Sequence, residues 1–136
     1  DIRDGVEMDR VFAAVKPHEV IHLAAQISVS RSVREPAVDA EVNILGFLRV
    51  LDAAVRTGVK RVLFTSSGGT LYGEVAGPAA EESPLQPTLP YGLSKLAGEQ
   101  YLAYYARTYG LGAVALRCAN VYGPCQNPHG RDQDIT

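Results

Sequence analysis

The feature that most constrains this chain is the alternation of short apolar runs with helical segments. Three runs rich in strand-forming residues, without regular polar alternation, span Glu19–Ala25, Lys60–Ser67 and Gly112–Cys118. Uninterrupted runs of this kind are typical of strands buried on both faces of a parallel sheet. Because helical patterns precede and separate them, the sequence predicts an α/β fold with a doubly wound parallel sheet and helices on both faces.

Three segments carry the helical pattern. The first runs from about Val6 to Val15. The second opens at Pro36 and ends before Gly58, a residue type that commonly follows a helix C-terminus. The third runs from Tyr91 to Tyr109 and is followed by Gly110. We therefore expect crossover helices between successive parallel strands.

Composition excludes several classes of function. The chain has 136 residues, 46% of them apolar, which suits one domain, and a formal charge of −2 without a basic stripe argues against nucleic acid as a partner. No apolar run reaches the roughly 20 residues that cross a bilayer, so we expect no membrane span and a cytoplasmic location. Cys118 and Cys125 do not form a metal-ligand pattern, and the sequence predicts no metal site.

The start of the chain is unusual for a natural N-terminus. Position 1 is aspartate and not methionine, and "DIRDGVEMDRVFAAV" reads as the end of one unit running into a helix. We interpret residues 1–136 as the middle portion of a longer protein.

Polar and small residues follow each predicted strand. These clusters read "AAQISVSRS", "TSSGGTLYG" and "CANVYGP". Ligands in open α/β sheets bind outside the carboxyl ends of the strands, so the three clusters are expected to share one site. A long proline-containing loop, Glu74–Pro90, follows the second cluster, and a loop of this length within a domain is either functional or disordered.

A tyrosine and a lysine open the third helix one turn apart. Tyr91 and Lys95 are neighbours at i and i+4 on one helix face, so the ammonium is expected to lower the pKa of the phenol and favour phenolate. A hydroxyl such as that of Ser67 could bind a substrate oxygen and guide a proton to the phenolate. This trio suits oxidation of an alcohol with a nicotinamide as hydride acceptor. On its own, however, the Tyr91 and Lys95 pattern favours a chance pairing or simple helix packing, since the chain contains seven tyrosines.

Taken with "HLAA" and "TSSGGTLYG", this pattern resembles the extended short-chain dehydrogenase/reductase family, and within it the nucleotide-sugar 4-epimerases of the UDP-glucose/UDP-galactose type. The resemblance covers Asp1 to about Arg131. It implies part of a Rossmann-like NAD-binding domain, with the glycine-rich first turn before residue 1 and a substrate domain after residue 136. It also implies NAD as cofactor, a nucleotide sugar as substrate, epimerisation at C4 through a 4-keto intermediate, and a homodimer.

The resemblance assigns roles to individual residues. Catalysis falls to Ser67, Tyr91 and Lys95, and substrate binding to Ser67, Tyr91 and Asn120. The cofactor-binding positions are Asp1, Ile2, Leu23, Ala24, Ala25, Gln26, Asn43, Tyr91, Lys95 and Cys118. Among these, Asn43 is implied to fix the strand ends beside the cofactor.

The catalytic hydroxyl stays ambiguous, because "SSGGTLYG" departs from the "SSSATVYG" of many epimerases. Counting forward from the strand favours Ser67, whereas counting backward from Tyr72 reaches Gly68, which has no hydroxyl. Thr70 is the alternative.

Two other functions remain open. A 4,6-dehydratase or decarboxylase of the same family would carry acidic residues after the catalytic hydroxyl, where this chain has Gly68, Gly69 and Thr70. The chain could also be a cofactor-binding piece with no catalysis of its own, since the glycine-rich turn that anchors the pyrophosphate is not among its residues.

Overall fold

The computed structural model describes residues 1–75 and 77–124. Within them, the strands are β1 (Glu19–His22), β2 (Arg61–Ser67) and β3 (Gly112–Cys118). The helices are α1 (Gly5–Val15), α2 (Val29–Arg34), α3 (Pro36–Ala40), a π-helical segment (Glu41–Gly46), α4 (Phe47–Thr57), α5 (Gly68–Leu71) and α6 (Pro90–Tyr109).

The three strands form one parallel sheet in the order β1-β2-β3. Their register aligns His22 with Phe64 and Phe64 with Ala115. At the carboxyl edge, Ser67 of β2 lies beside Cys118 of β3. The predicted α/β class with a parallel sheet is confirmed, and the polar clusters after the strands meet at one edge.

One face of the sheet is covered by helices. Apolar side chains of α1, α4 and α6 pack in a single core with β2, including Phe12, Phe47, Val62, Phe64 and Leu102. The amphipathic pattern of α4 explains its place, since Phe47, Val50 and Leu51 lie on one side of the helix and are buried.

The opposite face of the sheet differs from the sequence-based expectation. Ile21, Leu23, Val114 and Leu116 are between 40% and 68% exposed. The strands were expected to be buried on both faces, yet among residues 1–75 and 77–124 the longer helices contribute to the core on the Phe64 side. Strands β1 and β3 thus carry apolar side chains on both faces, but the described residues cover only one of the two faces.

The first strand is shorter than the expected Glu19–Ala25. It ends at His22, and the chain then turns toward Gln26, whose backbone N–H and carbonyl both bind the Asn43 side chain at 2.9 Å. An amide side chain thus satisfies backbone groups that a strand partner would otherwise satisfy.

The second predicted helix is interrupted. A π-helical segment, Glu41–Gly46, separates α3 from α4 and contains Asn43. Segments of this kind are rare and frequently occur at functional sites, because the wider turn redirects side chains. Here it brings Asn43 within hydrogen-bond reach of both Gln26 and Asp39.

The long loop between α5 and α6 is held at several points. The Gln86 N–H donates to the carbonyl of Leu71, and Arg117 donates to the carbonyl of Glu81, both at 2.8 Å. Gly73 has a φ of +69° and a Cβ there would meet the Gln86 carbonyl, so a side chain would be strained and obstructed. These contacts fix the path by which the chain reaches α6.

His22 is buried in the aromatic part of the core. It is 5% exposed, and its ring centroid lies 4.6 Å from that of Phe47 and 6.0 Å from that of Phe64. Burial, with a smaller effect of the Lys95 charge, lowers the pKa of His22 from 6.5 to about 4. No functional role was expected for His22, and its position among core aromatic rings agrees with that interpretation.

The His22 site predicts a loss of stability in mild acid. The folded-state pKa lies below the unfolded value, so the unfolded chain takes up the proton first and stability falls as the pH drops through 6.5 toward 4. We expect a contribution of about 2 kcal/mol to be lost between pH 7 and pH 5. In urea unfolding, the free energy of unfolding of His22→Leu should fall less between pH 7 and pH 5 than that of the wild type. His18→Gln, at an exposed position, should show the same fall as the wild type. An unchanged pH dependence in His22→Leu would contradict the assignment.

No helix in the described part of the chain is long and apolar enough to cross a membrane.

Candidate active site

Residues from the ends of β2 and β3 and from the start of α6 line one cavity of about 490 Å³, here called the catalytic cavity. Four of the residues assigned from sequence line it, together with the alternative hydroxyl residue: Ser67, Thr70, Tyr91, Cys118 and Asn120. The sheet register explains the meeting of Ser67 and Cys118, which are paired across β2 and β3. Of the three clusters expected to share one site, the second and third do line this cavity, whereas the first contributes Val29 to it. Most of the first cluster lines a second cavity.

Helix α6 begins very close to α5, the short helix that directly follows β2. A Cβ on Gly92 would lie 2.7 Å from the Thr70 carbonyl oxygen and 2.9 Å from Pro87, so only glycine permits this approach. Pro90 occupies the first turn, where its missing N–H costs nothing, and the free N–H of Tyr91 donates to the Ser32 hydroxyl at 3.2 Å. These contacts set the position of Tyr91 at the mouth of the catalytic cavity.

Lys95 is not one of the residues that line the catalytic cavity. It is 5% exposed, and its Nζ donates to the Thr65 carbonyl at 2.8 Å. The ammonium also lies 5.0 Å from the centroid of the Phe64 ring and 5.6 Å from that of Tyr91. Burial lowers the pKa of Lys95 to about 8, although Asp39 and Cys118 oppose the shift. The ammonium is thus still protonated at neutral pH, but by a small margin.

The expected effect of Lys95 on Tyr91 is not found. Burial raises the pKa of the Tyr91 phenol above its usual value, and Asp39 and Cys118 raise it further. The reason is geometric, because the hydrogen bond of Lys95 goes to Thr65 and its ammonium lies over the tyrosine ring. The prediction that Lys95 lowers the pKa of Tyr91 is therefore wrong for the chain in this state.

Both residues that carry a candidate hydroxyl group line the catalytic cavity. Ser67 precedes α5, and its side chain makes no capping hydrogen bond to that helix. Thr70 Oγ1 is buried without a hydrogen-bond partner in the described part of the chain. Gly68 cannot carry a side chain, because a Cβ would lie 2.9 Å from the Arg117 carbonyl oxygen. The choice between Ser67 and Thr70 stays open, but the Thr70 hydroxyl is buried and has to become accessible before a ligand can bind it.

The residues assigned to the other end of the cofactor lie around a second cavity of about 510 Å³. Asp1, Ala25 and Gln26 line it. Leu23 and Ala24 are exposed in the segment that leaves β1, and Ile2 packs on Gly46, where a Cβ would meet it at 2.8 Å. Of the residues assigned from sequence, Ile2, Leu23, Ala24, Asn43 and Lys95 line neither cavity.

Sequence reasoning missed a polar clamp beside the catalytic cavity. Arg117 on β3 forms an ion pair with Glu99 on α6 at 2.8 Å and donates to the Tyr72 hydroxyl at 2.9 Å. The same guanidinium holds the Glu81 carbonyl of the long loop. Nothing in the local sequence pattern indicates this pairing, because its members come from four separate segments.

Sequence reasoning also missed one acidic residue of the cavity lining. Glu74 lines the catalytic cavity with Thr88 and Leu89 of the long loop. Glu74 is exposed at the start of the long loop, and the sequence gave no sign of its role except that it directly follows "TSSGGTLYG".

No group of three or more histidine, cysteine, aspartate or glutamate side chains that could hold a metal ion occurs within residues 1–75 and 77–124. Cys118 is a free thiol, and Cys125 lies outside the described residues.

Comparison with known proteins finds a family model, NAD dependent epimerase/dehydratase family, that matches residues 1–136. A curated relative, UDP-glucose 4-epimerase of Mycolicibacterium smegmatis, is 47% identical over 131 residues, covering 96% of this chain and 42% of the relative. A dTDP-glucose 4,6-dehydratase of Streptomyces antibioticus is 37% identical over 129 residues, covering 94% of this chain and 38% of the relative.

A solved structure gives the same picture. The crystal structure of UDP-glucose 4-epimerase from Thermus thermophilus in complex with NAD matches with a TM-score of 0.92 and 47% identity, covering 97% of this chain and 43% of that one. The chain thus spans less than half the length of the relatives that it matches.

Proposed function

This chain belongs to the NAD dependent epimerase/dehydratase family, and from that premise we propose that the full-length protein is a nucleotide-sugar 4-epimerase. The observation that carries the proposal is the catalytic cavity, in which a tyrosine, a candidate hydroxyl and an asparagine from three different segments line one space. The similarity to UDP-glucose 4-epimerases supports UDP-glucose and UDP-galactose as the substrate pair.

Each residue of the cavity has a distinct task in the proposed reaction. Tyr91 exchanges a proton with the 4-hydroxyl of the sugar, and Ser67 or Thr70 binds the same oxygen and orients it. Asn120, at the exposed end of the cavity, binds the substrate phosphate. Removal and return of hydride at C4 then interconvert the two epimers, so that the sugar is chemically changed only in configuration.

We propose that NAD binds across the carboxyl edge of the sheet and supplies the hydride acceptor. The residues there fit such a group, because small or apolar side chains at Leu23, Ala24 and Ala25 leave the backbone after β1 accessible. Lys95 would hold the nicotinamide ribose, and Cys118 would meet the nicotinamide amide through its backbone. Asn43 would act indirectly, since its contacts fix the Gln26 backbone.

The protonation state of Tyr91 has a consequence for this proposal. Burial raises the pKa of the phenol, so Tyr91 keeps its proton at neutral pH in the ligand-free state. In that form it can donate a proton to a sugar oxygen, and to act as a base its pKa has to fall when ligands fill the cavity. Further burial alone would raise it, so we expect the fall to come from the positive charge of bound NAD, because a nearby opposite charge favours phenolate.

Incubation of the full-length protein with UDP-glucose, followed by chromatography of the nucleotide sugars, tests the proposal. We expect UDP-galactose to form until equilibrium is reached, without accumulation of free NADH. Failure to interconvert any pair of nucleotide-sugar C4 epimers would refute it.

A second candidate, a 4,6-dehydratase, is favoured by one observation: Glu74 places a carboxylate in the lining of the catalytic cavity. Elimination of water requires an acid to protonate the departing 6-hydroxyl. No carboxylate comes from Gly68, Gly69 or Thr70, and Gly68 has no room for one. Detection of a 4-keto-6-deoxy sugar, lost in Glu74→Gln, would favour the dehydratase over the epimerase.

We further propose that sequence outside residues 1–136 completes the site with a glycine-rich turn and a substrate domain, so that this segment by itself is inactive. The proposal is supported by coverage of 42% and 43% of the matched epimerases. Calorimetric titration of the 136-residue polypeptide with NAD tests it, and micromolar binding would contradict it. The cytoplasmic location and the homodimer stay predictions.

A further inference from the structure

A buried carboxylate, Asp39, lies at the centre of a polar network that the proposed reaction does not use. It is 1% exposed. Its Oδ1 accepts hydrogen bonds from the Gln26 amide at 2.8 Å and from the Asn43 amide at 3.0 Å, and its Oδ2 accepts from the Ser94 hydroxyl at 2.6 Å. Three separate segments, the exit of β1, the π-helical segment and α6, therefore meet at one carboxylate.

The hydrogen-bond partners of Asp39 are all neutral. In residues 1–75 and 77–124 no arginine, lysine or histidine lies within ion-pair distance of it, although a buried carboxylate without a cation is costly. Lys95, the residue that follows Ser94, is buried as well. Two groups that can carry opposite charges are therefore buried near the start of α6, and neither has an ion-pair partner in direct contact within the described residues.

Asp39 and Lys95 are buried next to each other at the start of α6, because the carboxylate binds Ser94, the residue that precedes Lys95. Four titratable groups face the ammonium: His22 from β1, Tyr91 from its own helix, Cys118 from β3 and Asp39 from α3. Asp39, and to a smaller extent Cys118, raise the pKa of Lys95 against the effect of burial. Of the four, Asp39 is the only carboxylate.

Helices α2 and α3 also hold the start of α6 in place. Ser32, fully buried on α2, accepts the N–H of Tyr91, while Asp39 accepts the hydroxyl of Ser94 three residues later. The first turn of α6, which carries Tyr91, is thereby held from one side by two buried polar groups.

We propose that Asp39 is a positioning residue for the Tyr91 and Lys95 pair: its carboxylate is the counter-charge of the buried Lys95 ammonium and, through Ser94, anchors the first turns of α6. The inference about catalysis rests on the proposed function, but the charge relation does not. A neutral polar network would serve packing equally well, so the negative charge is what the experiment has to test.

Titration of Lys95 tests the charge directly. In the full-length protein labelled with ¹³Cε-lysine, with Lys95→Met to assign the signal, we expect a midpoint near 8 for Lys95 in the wild type. Asp39→Asn should lower that midpoint by about one unit or more, because a nearby opposite charge is removed. Glu41→Gln, which removes an exposed carboxylate two residues away, should leave it unchanged. An unchanged midpoint in Asp39→Asn would overturn the proposal.

Turnover measured against pH tests the catalytic part. Asp39→Asn should move the whole profile to lower pH, since the pKa values of Tyr91 and Lys95 both fall when the negative charge is lost. Ser94→Ala keeps the charge and loses the link to α6, so it should lower kcat without moving the profile. A uniform loss at every pH in Asp39→Asn would contradict the counter-charge role.

Two further outcomes are decisive. If Asp39→Asn does not fold, the Lys95 signal is titrated in Asp39→Ser instead. Wild-type turnover in Ser94→Ala would overturn the anchoring role. If the wild type lacks epimerase activity while Asp39→Asn still shifts Lys95, the proposed function fails and the charge relation stands.

Discussion

Replacement of Tyr91 by phenylalanine in the full-length protein should lower turnover by roughly 10²–10⁴-fold, the usual contribution of a positioned acid or base. The substitution removes one hydroxyl from the lining of the catalytic cavity and leaves the backbone N–H of residue 91 on Ser32. We therefore expect the thermal midpoint to change little while kcat falls. Steady-state kinetics and a thermal scan of the same preparation measure both quantities.

Tyr101→Phe is the matched control, because Tyr101 lies on the same helix and is 41% exposed. It should retain full turnover. If Tyr91→Phe keeps activity within a few-fold of wild type, Tyr91 only packs against its neighbours and the catalytic assignment is wrong.

Replacement of Lys95 by methionine should separate activity from stability. The variant loses the ammonium proposed to hold the cofactor, and we expect turnover to fall by about 10²-fold or more, with weaker NAD binding. Burial lowers the pKa of Lys95 to about 8, which means that the folded state holds this charge at a cost. Methionine removes that cost but also leaves Asp39 and the Thr65 carbonyl without the ammonium, so the two effects on stability at pH 7 oppose each other and a thermal scan should show a folded protein.

The lysine effect has a defined pH dependence. The folded-state pKa of Lys95 lies below the unfolded value of 10.5, so wild-type stability should rise between pH 8 and pH 10.5 as the folded state releases its proton before the unfolded state does. Urea unfolding should show this rise in wild type and in Lys60→Met, an exposed control, but not in Lys95→Met. Normal NAD binding in Lys95→Met would contradict the proposed role.

Much of the fold could be predicted from sequence, since it depends on local patterns. Gly112–Cys118 was predicted with the observed bounds, and α6 begins one residue before the expected Tyr91. The end of β1 could not be predicted, because it depends on the capture of Gln26 by Asn43, which lies 17 residues further along the chain. The π-helical segment escaped for the same reason, as it arises from tertiary contacts of Asn43 and not from an unusual local composition.

The site could be predicted only where residue type and strand position coincide. Ser67, Tyr91, Cys118 and Asn120 were assigned from sequence and line one cavity. Asp39 was not recognised, because "PAVDAEVN" shows an ordinary acidic residue on a helix and gives no sign that it is buried.

The sign of the Tyr91 pKa shift was also missed. The i, i+4 spacing places Lys95 near the tyrosine, but it does not reveal that the ammonium binds Thr65 or that burial outweighs its charge.

The central claim, that hydride leaves C4 of a nucleotide sugar and returns to the same carbon, is tested most directly with labelled substrate. UDP-glucose carrying deuterium at C4 is converted by the full-length protein in ordinary water, and the product is examined by NMR and mass spectrometry. We predict UDP-galactose that retains deuterium at C4. Product with hydrogen from solvent at C4, or a labelled 4-keto-6-deoxy sugar in its place, would contradict the account.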